Sequence, residues 1–100
     1  ADAFELDARL RRLRLAAHRI DFQITTLLRV GIERRLFGEI GFASTRHYVE
    51  SRLGCSARTA WSMLAVERDC RRRSPTLGEA WRDGRVSHLA AATLLRVVSE

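Results

Sequence analysis

Apolar residues recur at Leu6, Leu10, Leu13, Ala17, Ile20, Ile24 and Leu27, in alternating steps of four and three. That spacing is a heptad seam and predicts one long amphipathic helix with no proline inside it. Acidic residues Asp2, Glu5 and Asp7 stand where the positive end of the helix dipole favours them. Arg9, Arg11, Arg12 and Arg14 fall off the seam, within a turn of acids they can pair with. A second apolar row, Leu15, Phe22, Leu28, Val30 and Ile32, widens the apolar face. The pattern carries the helix toward Phe37, with Gly31 as a weak point and an end by Gly38 or Gly41. A helix of about 30 residues is about 45 Å long, more than the rest of so short a chain can cover. Two arrangements fit: the helix folds back to close a monomeric core, or it pairs with a second copy. The regularity of the seam, and the apolar area left by the second row, favour pairing.

The middle of the chain changes rhythm. Ser44 or Thr45 can cap a short helix over 46–53, with Tyr48, Val49 and Leu53 as its apolar residues. Gly54 supplies the left-handed residue that ends many helices, and Ser56 caps a longer helix from Ala57 to about Arg72. Helix, Gly-Cys-Ser turn and helix follow the grammar of a helix-turn-helix. The pattern of such motifs wants apolar residues at its fourth, eighth, tenth, fifteenth and eighteenth positions and glycine at its ninth. With Arg46 first, these are Val49, Leu53, Cys55, Ala60, Met63 and Gly54, and all fit. The fifth position is normally small, because the two helices touch there, but here it is Glu50. Its carboxylate implies a wider crossing or a side chain that leans into solvent. Beyond, Ser74-Pro75 opens a helix with Leu77, Ala80 and Trp81 on its apolar face, and Asp83-Gly84 turns the chain. Ser87 caps a last helix, still strongly apolar at its end, so the chain continues past residue 100 or this end packs on a partner. The expected architecture is all-α: a long N-terminal helix (residues 1–43, a dimerisation element), then a helix-turn-helix with two supporting helices (44–100).

Composition agrees. The 100 residues, 46% hydrophobic and 30% charged, are those of one globular domain. With one proline and six glycines there are too few turns for an all-β chain. No apolar run reaches the ~18 residues of a membrane span, and no segment reads as an export signal. Cys55 and Cys70 match neither a disulfide framework nor a zinc spacing, which suits a reducing cytosol. All 18 basic residues are arginine against 12 acids, for a net charge of +6. The absence of lysine and asparagine, with many alanines, suggests a GC-rich bacterial genome.

The surplus charge is localised. Residues 44–73 hold seven arginines and three acids, whereas 74–100 balance at three of each. A basic stripe confined to one segment is the footprint of a nucleic-acid binder, although a solvated basic face fits as well. In a helix-turn-helix the first turns of the second helix face DNA. The outward residues there are Ser56, Arg58, Thr59, Trp61 and Ser62. Arg58 can grip guanine O6 and N7 together, while Ser56, Thr59 and Ser62 can bond phosphates or bases. Trp61 reads more readily as a core or interface residue than as a DNA contact. Arg46 and Arg52 on the first helix suit backbone contacts. So does the run Arg71-Arg72-Arg73, which equally suits a solvated helix end.

From Leu53 to Val97 the chain resembles the helix-turn-helix region of the ParB and KorB plasmid-partition family. It shares Leu-Gly-x-Ser at 53–56, Leu64 and Val66, a short helix closed by Asp-Gly-Arg-Val-Ser at 83–87, and a small-residue helix from His88 to Leu95. A closer likeness, reaching back to Gly41, is to a domain found N-terminal to HNH nuclease domains in GC-rich bacteria. It rests on Gly41-Phe42-Ala43-Ser44, Tyr48-Val49 and Leu53-Gly54-Cys55-Ser56-Ala57-Arg58-Thr59-Ala60. The resemblance implies an all-α domain that binds DNA.

Nothing in this chain reads as catalytic. An HNH centre needs paired histidines and an asparagine or acid around a metal; His18, His47 and His88 are isolated, and asparagine is absent. There is no nucleophile elbow, no phosphate loop and no arginine-rich box of the ParB nucleotide-hydrolysing domain. Cys55 reads as a small buried turn residue, and Glu67 and Asp69, flanking Arg68, as surface ion pairs. No metal, cofactor or small-molecule substrate is expected. Two classes stand: a DNA-binding module, dimeric, nucleoid-associated in the cytoplasm and serving to target a longer protein, or a protein-interaction and assembly module. The first takes double-stranded DNA as partner; the second uses the long helix and the apolar C-terminal helix.

Overall fold

The computed structural model describes residues 2–98, and among these every regular element is helical. The long helix α1 runs Ala3–Glu33, about 46 Å at 1.5 Å per residue. The Asp2 side chain caps it, accepting from the Glu5 amide at 2.7 Å. Ion pairs Glu5–Arg9 at 3.7 Å and Asp7–Arg11 at 3.0 Å hold its first turns. Its first half projects from the body, since nearly every residue before Ala16 is exposed; burial concentrates at Thr25, Leu28 and Gly31.

The helix stops at Glu33, four residues short of Phe37. Arg34 is its C-cap, and Arg35 takes the left-handed conformation at φ 55°. The Leu36 amide donates to the Gly31 carbonyl at 3.0 Å and the Arg35 amide to Ile32 at 3.1 Å, the two bonds of a Schellman closure. Gly31 is therefore not a weak point. The Phe37 ring folds back into the space a β-carbon would occupy there, and the missing side chain is what lets the ring lie on the helix.

A 3-10 turn, Phe37–Ile40, leads to the predicted short helix, α2, at Thr45–Tyr48. Ser44 caps it, accepting from the His47 amide at 3.1 Å. It widens into a π-helical turn over Val49–Leu53 and ends at Gly54, φ 67°. Helix α3 covers Ala57–Arg73, α4 Pro75–Arg82 and α5 His88–Leu95. Each starts at a serine predicted for that role: Ser56 accepts from Thr59 at 3.1 Å, Ser74 from Leu77 at 3.4 Å and Ser87 from Ala90 at 3.0 Å. Gly84, φ 83°, closes α4 through a second Schellman pair and sits against the Leu15 carbonyl of α1.

Two apolar clusters share α1 and α3. In one, Met63, Val66, Cys70, Trp81, Ala91 and Leu95 pack with Phe22 of α1. Phe22 meets the fully buried Trp81 edge-on at 5.1 Å. In the other, Leu28, Val49 and Ala60 join α1, the π turn and α3. Residues 1–43 and 44–100 thus contribute to a common interior. Glu67 corrects the sequence reading. It is 2% exposed, not a surface ion pair. Its carboxylate meets Arg29 of α1 at 3.2 Å and Arg71 of its own helix at 2.6 Å. A buried carboxylate needs such partners: Arg71 lies one turn along α3, and Arg29 reaches it from α1. Asp69 does pair with Arg68, at 3.2 Å, near the surface.

Candidate nucleic-acid interface

The candidate interface follows from which side of α3 is buried. Ala57, Ala60, Met63, Val66, Glu67 and Cys70 face inward. Positions 58, 61, 65, 68 and 72 recur in steps of three and four and share the opposite face. That face carries Arg58, Trp61, Ala65, Arg68 and Arg72. Ala65 is the small residue between the two ends, so the aromatic and cationic side chains are not crowded by a bulky neighbour.

Ser56, Arg58, Thr59 and Ser62 are all exposed around the first turns of α3. Ser56 and Thr59 also bond each other, hydroxyl to hydroxyl, at 3.0 Å, so the cap orients two polar groups at once. Arg58 and Arg72 have no hydrogen-bond or ion-pair partner among the described residues. Trp61 is 39% exposed and outside both clusters, which removes the core alternative and leaves the interface one; the buried tryptophan is Trp81. Beside Trp61 a groove opens between α1 and α3, with Arg29, Glu33, Arg68, Arg71 and Arg72 along it.

The other predicted residues part company. In the run 71–73, Arg71 is tied to Glu67, Arg72 points outward, and Arg73 turns away. The Arg73 guanidinium donates to the carbonyl of Leu95 at 3.0 Å and of Val98 at 3.5 Å. It thereby satisfies carbonyls that the end of α5 leaves unpaired. Arg46 is exposed on α2, and Arg52 lies over the Phe42 ring at 5.2 Å. Glu50 is exposed, leaning out as its position required. Arg68 was not singled out from sequence, and Trp61 was named among the outward residues but read more readily as core or interface; stepping from Arg58 with the helical period reaches both.

The remaining chemistry is quiet. Burial pushes the Cys70 thiol up, and Glu67 and Asp69 push the same way, so it is not a ready nucleophile. Burial lowers His88 below the ordinary imidazole value; Asp21 opposes this and His18 adds to it. Among the described residues, no three histidines, cysteines or carboxylates converge as a metal cluster would, and no helix is long and apolar enough to cross a membrane.

These features define an all-helical domain in which a long helix carries a helix-turn-helix pair and two supporting helices. The chain belongs to the family described as a domain of unknown function, DUF222, which matches residues 5–100. This is a domain found N-terminal to HNH nuclease domains in GC-rich bacteria. No curated protein and no solved structure matches the chain.

Proposed function

We propose that the domain binds double-stranded DNA through the outward face of α3. The observation that carries the reading is the single stripe of Arg58, Trp61, Arg68 and Arg72 on a helix whose capped N-terminus is open to solvent. The first turn enters the major groove, where Arg58 reads guanine and Ser56, Thr59 and Ser62 bond bases or nearby phosphates. Arg72 lies fourteen residues on, about 21 Å along the helix, and holds the phosphate backbone, with Arg68 between. Arg46 and Arg52, on the preceding helix, reach the flanking backbone. The family's place before HNH nuclease domains supports this use of the fold, since a DNA-binding unit there would target the longer protein on the nucleoid.

Fluorescence anisotropy with random duplex DNA at two salt concentrations tests the proposal. Three or four phosphate contacts give a log–log salt slope of about −3. Absence of binding at low salt overturns it. That outcome would leave the second reading, an assembly module, which is favoured by the exposed apolar stripe on α1.

A further inference from the structure

The seam of α1 stays uncovered after the chain has folded. The body grips the C-terminal half of the helix beside the seam, through Phe22, Thr25, Leu28 and Gly31. Leu6, Leu10, Leu13, Ile20 and Leu27 remain exposed, Leu13 at 67% and Leu27 at 71%. Toward the C-terminal end of the stripe, Ile24 and Leu27 form one wall of an apolar groove whose other walls are Phe37, Tyr48 and Leu53. An exposed apolar stripe with a groove at its end is a surface built for a partner.

Charge selects the partner and its direction. In heptad terms Leu10, Ala17 and Ile24 occupy a, and Leu6, Leu13, Ile20 and Leu27 occupy d. The flanking e positions are Asp7, Arg14, Asp21 and Leu28, and the g positions Asp2, Arg9, Ala16 and Gln23. In a parallel pair each g residue faces the e residue five positions on. Asp2 would then face the partner's Asp7, and Arg9 the partner's Arg14, so both charged contacts repel. An antiparallel pair brings e against e. If Ala17 faces the partner's Ile20, then Leu10 faces the partner's Leu27 and Leu13 the partner's Ile24. Arg14 then meets the partner's Asp21, twice by symmetry. Arg14 has no ion-pair partner of its own among the described residues. The same register carries Leu6 and Phe4 of one copy, both exposed, toward the apolar groove of the other.

We infer that a second copy of the chain covers this stripe, running antiparallel, with Arg14 of each copy paired to Asp21 of the other. The inference does not rest on the DNA-binding reading, and association measured without DNA tests it alone. Sedimentation equilibrium is the measurement. The wild-type chain dimerises below ~100 μM, the range of weak specific association. Leu13→Glu or Ile20→Glu, each at an exposed position, sediments as a monomer with helical content unchanged.

Arg14→Asp decides the direction. In the antiparallel pair it sets two carboxylates against each other and weakens association about tenfold. In a parallel pair it would relieve the clash with Arg9 and tighten association. Arg14→Asp combined with Asp21→Arg restores wild-type affinity to within about threefold. A monomeric wild type overturns the pairing. Tightening by Arg14→Asp, or no recovery in a double variant that keeps its helicity, overturns the direction and register.

Discussion

Glu67→Gln removes a charge where an ion pair joins α1 and α3, the two helices that share both clusters. Glu67 is 2% exposed and meets Arg29 at 3.2 Å and Arg71 at 2.6 Å. The amide keeps the shape of the carboxyl group but leaves each guanidinium facing a neutral dipole. Breaking a buried pair costs ~3–5 kcal/mol when the surviving charge stays buried. The two arginines differ in this respect. Arg71 is 48% exposed and can swing to water, whereas Arg29 is 29% exposed and held within the groove. The Arg71 contact is therefore discounted as largely solvent-screened, and the expected loss is ~2–3 kcal/mol, mostly from Arg29. Arg29 also touches Glu33 at 3.2 Å, which softens the effect but cannot remove it, because Glu33 is on the surface. In a domain of this size the loss lowers Tm by ~10–20 °C, measurable by thermal or denaturant unfolding followed by circular dichroism. Arg29→Met with Glu67→Leu, which replaces the pair by apolar side chains, recovers most of the stability. A loss below ~0.5 kcal/mol for Glu67→Gln, the size expected at a surface site, would refute the argument.

The other stability predictions concern close packing and burial. Gly84→Ala places a methyl group 2.6 Å from the Leu15 carbonyl at a φ of 83°, so it loosens α1 from the α4–α5 turn by ~2–3 kcal/mol in denaturant unfolding. Gly31→Ala displaces the Phe37 ring and costs ~1–3 kcal/mol by the same assay, opposite to the gain alanine brings inside an exposed helix. His88, lowered mainly by burial, favours the fold when neutral: its contribution is complete above the ordinary value of 6.5 and is lost as pH falls from there through the lowered folded value. His88→Gln should flatten that acid limb of the stability curve; an unchanged limb would show that another group titrates there.

Capping chemistry was the most legible part of the fold. Ser44, Ser56, Ser74 and Ser87 each have a hydroxyl and a following helix that starts where its amides need one, and all four accept those hydrogen bonds. Such signals are local, and so survive in a single sequence. The end of α1 was less legible, because the helical pattern continues into Leu36 and Phe37. The helix closes with Arg35 in the left-handed conformation, where arginine lacks the stop signal of a glycine, and with the Phe37 ring returned onto Gly31, six residues back. Glu67 misled because its partner Arg29 is 38 positions away, on another helix. The arginine run divides in a way that its sequence does not announce. Three neighbours in sequence point three ways on a helix, so one face receives only Arg72.

That separation sharpens what can be asked of the residues proposed to face DNA. Neutralising the whole 71–73 run would be uninterpretable, since Arg71 holds Glu67 and Arg73 holds the end of α5. Single substitutions on the outward face are clean, because Arg58 and Arg72 make no contact the fold depends on. Arg58 sits in the first turn of α3, two residues past its cap; in the proposed binding mode this end of the helix reads bases. Arg58→Ala should cost ~1–3 kcal/mol on a preferred site selected from a random library, and much less on random duplex. Arg72→Ala should weaken binding to both DNAs by a similar factor and flatten the log–log salt slope by about 1. Trp61→Ala separates the two ends: as part of the reading surface it lowers affinity for the selected site without changing the salt slope, because it carries no charge. Anisotropy titrations of the three variants on both DNAs, at two salt concentrations, give all of these quantities. Equal losses for Arg58→Ala on both DNAs would make it one more phosphate contact. No loss for any of the three variants would mean that this face of α3 does not meet DNA, whatever else on the domain does.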